Sequence, residues 1–134
     1  MAKVYTIDGS QIGTLEDFFD QISRVLIPRA DWGRNLDAFN DILRGGFGTP
    51  DDGFVIHWIQ SDTSRARLGY VETAKQLEIR LGRCHPSNRT HVSQQLREAR
   101  AGIGPTVFDW LVEIIKVHGA DGDEADDNVS LVLM

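Results

Sequence analysis

Phe54-Val55-Ile56-His57-Trp58-Ile59 is the stretch whose reading decides the fold. It is short, aromatic and β-branched, and the loop Gly48-Thr49-Pro50-Asp51-Asp52-Gly53 precedes it. A run of this length and composition reads as a strand, since helices need about 10–12 residues or more. Near-continuous apolarity predicts a strand covered on both faces, as in parallel sheets. Two other strands lie towards the ends of the chain. Val4-Tyr5-Thr6-Ile7 is closed by the turn signal Asp8-Gly9, and Val129-Ser130-Leu131-Val132-Leu133 follows an acidic loop from Gly119 to Asn128.

Helical patterns fill the intervals between these strands. Thr14 is a candidate N-cap with Asp17 three residues later, and Leu15, Phe18, Phe19, Ile22, Val25 and Leu26 follow at helical spacing before Pro28. Residues 62–104 read as two helices. The first runs from Ala66 or Val71 to Leu81 and carries Leu68, Val71, Ala74, Leu77, Ile79 and Leu81; the second runs from about Thr90 to Ala101. Thr106 is the expected cap of a last helix to Val117, apolar nearly all round except for Asp109, Glu113 and Lys116, which predicts a central core helix. Strands joined through helices imply an α/β domain with a three-stranded parallel sheet and right-handed crossovers. The 134 residues are expected to form one domain. The order of strands in the sheet does not follow from the sequence.

Composition narrows the function classes. One cysteine, Cys84, excludes an intramolecular disulfide and suits a reducing cytoplasm. The first residues lack the apolar run of a signal peptide, and no segment approaches the roughly 20 apolar residues of a membrane span. The net charge of −6 is unevenly spread. Residues 62–104 hold eight basic side chains against four acidic ones, so the rest of the chain is strongly acidic. Phosphate binding needs a basic footprint, so this balance argues against nucleic acid and for a basic protein partner reached by electrostatic steering.

The acidic character is most ordered in Asp31-Trp32-Gly33-Arg34-Asn35-Leu36-Asp37-Ala38-Phe39-Asn40-Asp41-Ile42-Leu43-Arg44-Gly45-Gly46. Asn35 is the expected N-cap and Gly45-Gly46 the stop. Leu36, Phe39, Ile42 and Leu43 form an apolar face, while Asp37, Asn40, Asp41 and Arg44 fall on the opposite one. Two aspartates at i, i+4 repel by a few tenths of a kcal/mol. Asp37 in the first turn has a local reason to be acidic, because the helix dipole favours it there. Asp41 has no such reason, and such a face suits a strongly cationic partner.

With this order established, the chain resembles the barstar family, intracellular inhibitors of secreted ribonucleases such as barnase. The resemblance lies in Val4 to Ile12, in Pro28 to Leu43 with Gly33-x-Asn35-Leu36-Asp37-Ala38-x-x-Asp41, and in Phe54 to Gln60 with its Trp58. The last helix and strand fit in order, so that about two-thirds of the chain is covered. It implies a barstar-like α/β fold in which residues 62–104 are a helical insertion. It also implies a monomer that blocks a nuclease active site with its second helix, requiring no cofactor or metal. Carried over by position, Asp41 is the principal phosphate mimic and Asp37 a second ion-pair partner. Trp32 and Gly33 become loop contacts, and Asn35 caps the helix and approaches the enzyme. Asn40 and Arg44 fall in the same contact surface. The last helix would add a glutamate at Glu113, or an aspartate at Asp109. Departures from the family pattern are Asn40, where an aromatic residue is usual, and Asp31-Trp32, where two tyrosines are usual. They point to a target other than barnase, such as a related basic microbial ribonuclease or toxin nuclease.

Two alternatives remain open at this stage. One is an adaptor of the same fold whose partner is not a nuclease. The other is a small hydrolase using His57, His85, His91 or His118, although no spacing supports it. Cys84, His85 and His91 offer at most three metal ligands, short of the four of a structural zinc site.

Overall fold

The computed structural model describes residues 2–134. β1 (Lys3–Asp8), α1 (Leu15–Val25), α2 (Leu36–Arg44), β2 (Phe54–Ile59), α3 (Ser61–Arg67), α4 (Tyr70–Arg83), α5 (Arg89–Arg100), α6 (Val107–Val117) and β3 (Val129–Leu133) follow in that order. The three strands form one parallel sheet ordered β1-β2-β3, with Tyr5 beside Ile56 and Ile56 beside Leu131. Helices cover one face only. With right-handed crossovers on a single face, each new strand must be added in the same direction, which yields this order.

The expectation that β2 is covered on both faces is corrected. Phe54, Ile56 and Trp58 are buried, but the alternating Val55, His57 and Ile59 are only half-buried. On the flanking strands Val4 and Val132 are 47% and 41% exposed. Continuous apolarity here reflects a core face plus an open β-branched face, which strand propensity favours without a second helical layer.

The core is aromatic where the helices meet the sheet. Phe18 lies 5.2 Å from both Phe39 and Trp58, and Trp58 lies 5.1 Å from Phe108, ring centre to ring centre. Trp58 also anchors the chain that leaves β2. Its indole N–H donates to Ser64 Oγ (2.9 Å), and Ser64 Oγ donates to the Gly9 carbonyl (3.1 Å). A Cβ on Gly9 would stand 2.3 Å from the Gln60 carbonyl oxygen, so only glycine lets these turns approach. Beside it, Asp8 accepts from the hydroxyl and backbone N–H of Ser10, which lowers its pKa below the ordinary carboxylate value.

Residues 62–104 depart from the two-helix reading. A separate helix, α3, comes first and buries Ser61 and Ser64 rather than hydrophobic residues, so it has no apolar period to detect. α4 follows after Gly69. Val71, expected on its apolar face, is 90% exposed, and Ile79 is 38% exposed. α4 and α5 pair through a small cluster of Leu77, Val92, Leu96 and Ala99, against which Trp110 of α6 packs from the main core. The hairpin is tied to the body by polar anchors. Buried Glu72 accepts from the Leu15 backbone N–H at the start of α1 (2.8 Å), and Thr73 Oγ1 accepts from the Val107 N–H at the start of α6 (2.8 Å). Among the described residues, no helix is long and apolar enough to cross a membrane.

Candidate functional site

α2 is fixed at both ends by its own sequence. Asn35 Oδ1 accepts from the Ala38 N–H (2.8 Å), and Asn35 Nδ2 donates to the Gly33 carbonyl (3.3 Å). At the other end Gly45 adopts φ 102°, ψ −178°, a conformation open almost only to glycine. Phe39, Ile42 and Leu43 are fully buried, which orients Asp37 and Asp41 outward, and both are exposed. Both cap and stop lie where the sequence placed them.

The segment leading into α2 is held against α1 by contacts the sequence did not reveal. Ser23 Oγ accepts from Trp32 Nε1 (2.7 Å) and from Arg34 Nη1 (3.1 Å), while Arg34 also pairs with Asp20. The Trp32 ring sits edge-on to Phe19 at 5.3 Å. The indole expected as a loop contact is therefore half-buried and has its N–H engaged internally. Gly33 is exposed, and a Cβ there would meet Asn35 Nδ2 at 3.0 Å and the Ala38 Cβ at 3.3 Å.

Asn40 requires a correction. It does not join the aspartates on the free surface: its Oδ1 lies 2.7 Å from Nε2 of His118, a residue with no exposed area. His118 Nδ1 lies 2.6 Å from Asp127 Oδ2, and Glu124 Oε2 is 3.7 Å from Nε2. This polar cluster ties α2 to the end of α6 and to the acidic loop. It consists of partners 78 and 9 residues apart, so no local pattern announces it. The ligand atoms of His118, Glu124 and Asp127 lie within 4.8 Å of one another, unlike the Cys84, His85 and His91 considered from the sequence.

Arg44 bridges two carboxylates. Its Nη1 is 3.1 Å from Asp41 Oδ1, and its Nε donates to Glu124 Oε1 at 2.8 Å. The hydrogen bond and charge of Glu124, with smaller contributions from Asp41 and Asp127, raise the Arg44 pKa above that of an ordinary arginine. Glu124 is thus the acid that extends the α2 face, and it was missed because it stands in an irregular loop 80 residues away. The two candidates in the last helix have other neighbours. Asp109 is taken up in the α6 capping box with Thr106. Glu113 is exposed in a groove with Lys116, Asp121 and β3, which no α2 residue lines.

A surface helix held by cap, core and glycine stop, with two outward carboxylates, agrees with the family suggested by the sequence. A protein-family model described as Barstar (barnase inhibitor) matches residues 2–85, more than half of the chain. The chain belongs to the barstar family. Proteins of the barstar family are inhibitors rather than enzymes, and their binding target is a ribonuclease. The match takes in β1, α1, α2, β2, α3 and α4, and so extends into the segment that the sequence reading treated as an insertion; α5, α6 and β3 lie beyond it. A comparison with curated proteins returned no match.

Proposed function

We propose that this barstar-family protein binds and blocks the active site of a basic microbial ribonuclease, with α2 presenting Asp37 and Asp41 in place of RNA phosphates. The observation that carries this reading is the pair of exposed carboxylates on one face of a helix immobilised at both ends. Residues four apart on a helix surface are neighbours, about 5–6 Å between Cβ atoms, so the pair offers two anionic positions to one cluster of Arg, Lys and His. Preorganisation lowers the ordering cost of association. Asp41 is the principal contact and Asp37 the second; Gly33 and Asn35 form the adjoining rim. Arg44 and Glu124 accompany Asp41, and Arg44 is the group a cationic partner must displace or share. Glu113 lines a separate groove with Lys116 and β3. The setting is the cytoplasm of a cell exposed to its own nuclease or a neighbour's, and the free protein is a monomer.

The test is inhibition of a panel of basic microbial ribonucleases by the purified protein at micromolar concentration. Inhibition of at least one is expected, and inhibition of none sinks the reading in favour of an adaptor role. For the inhibited enzyme, Asp41→Ala is expected to weaken binding by about 2–5 kcal/mol, the usual range for truncating one partner of a charge pair buried in an interface. Its thermal midpoint should move by only about 1–2 °C, since the lost intramolecular pair is exposed.

A further inference from the structure

A groove between the first turn of α2 and α4 adjoins the acidic face but differs from it in chemistry. Phe19, Leu36, Ile79 and Trp110 supply its apolar surface. Glu16 and Asp37 stand on the α1–α2 side, and Arg80 and Arg83 on the α4 side. Gln76, Ile79, Arg80 and Arg83 share one face of α4 at helical spacing, so both arginine side chains leave the helix on the groove side. Arg80 lies over the Trp110 ring at 5.0 Å, which braces its side chain. Among the described residues neither Arg80 nor Arg83 is in an ion pair, whereas Arg34 on the same groove is committed to Asp20.

These charges restrict what the groove can hold. A uniformly basic segment would be attracted by Glu16 and Asp37 and repelled by Arg80 and Arg83, and a uniformly acidic one would meet the reverse. An apolar side chain suits the exposed Ile79 and the half-buried Leu36, and a carboxylate beside it suits the guanidiniums of Arg80 and Arg83, whose forked donors match carboxylate oxygens. We propose that this groove docks a segment of the partner protein in which an aromatic or large aliphatic side chain stands next to a carboxylate. The groove is then a second contact patch beside the acidic helix. It deepens the inhibitor reading by rejecting nucleases that are basic throughout the contact surface, a repulsive element of specificity.

The groove is testable without any nuclease, so its failure and that of the inhibitor reading are separable. The probes are the dipeptides N-acetyl-Phe-Asp-amide and N-acetyl-Phe-Lys-amide, titrated into the labelled full chain while the Trp110 indole and Ile79 methyl NMR signals are followed. The Asp peptide should shift both signals with a Kd on the order of 1 mM, and the Lys peptide should bind at least about tenfold more weakly. Arg83→Glu, at an exposed site with no packing role, should reverse that preference. Absence of shifts with the Asp peptide, equal response to both peptides, or an unchanged preference in Arg83→Glu overturns the proposal.

Discussion

Arg44 sets the electrostatic state of the acidic helix in the free protein. Its guanidinium already occupies the position between Asp41 and Glu124 that an incoming arginine or lysine would seek. A cationic partner must therefore break or share these contacts, and it also meets an extra positive charge. Arg44→Ala removes both obstacles. Inhibition of the target ribonuclease by this variant should tighten by several-fold, whereas weaker inhibition would make Arg44 a direct contact with the partner. Stability should fall only slightly, because both ion pairs are substantially exposed. Asp37 and Asp41 were legible because helical periodicity alone assigns them a face. Asn40 shares that periodicity, yet a fully buried histidine from another element draws it inward.

The helices α1, α2 and α6 have ends written in local chemistry. Thr14 with Asp17 and Thr106 with Asp109 form reciprocal capping boxes, and Asn35 caps α2. Asn35→Ala should cost about 0.5–2 kcal/mol, the usual loss for an N-cap. For a chain of this size that corresponds to a fall of about 2–8 °C in the thermal midpoint, measured by circular dichroism. It should also weaken ribonuclease binding, because the first turn that carries Asp37 loses its anchor. α3 is the contrasting element. Its buried side chains are serines, and the path from the Trp58 indole through Ser64 to the Gly9 carbonyl is one of the contacts that position it, beside Ser61 and Arg67 bonded to the Met134 and Ser10 carbonyls. Ser64→Ala leaves a buried donor and a buried acceptor without that partner, so a loss of about 1–3 kcal/mol is expected in denaturant unfolding. A change below about 0.5 kcal/mol would show that the network contributes little. Periodicity could not find α3, because hydroxyls that satisfy backbone groups leave no hydrophobic stripe.

At the scale of the whole molecule, the charge distribution decides how partners approach. The acidic body should speed encounter with a basic nuclease, so the association rate measured by stopped flow should fall as salt rises from about 0.05 to 0.5 M. The dissociation rate should change much less, and a salt-independent association rate would remove the steering argument. The α4–α5 hairpin carries much of the opposing positive charge and sits beside the start of α2, so it modifies this field locally. By itself the sequence determined the three strands, the caps and stop of α2, the α/β class and the barstar-family resemblance. These depend on periodicities and capping chemistry within a few residues of one another. Tertiary structure alone decided that the sheet has one open face, that Glu124 completes the acidic face, that His118 captures Asn40, and that α4 forms a basic wall opposite Asp37. Those features join residues far apart in the chain, and only the packing of helices on a single sheet face brings their charges and hydrogen-bonding groups within reach of one another.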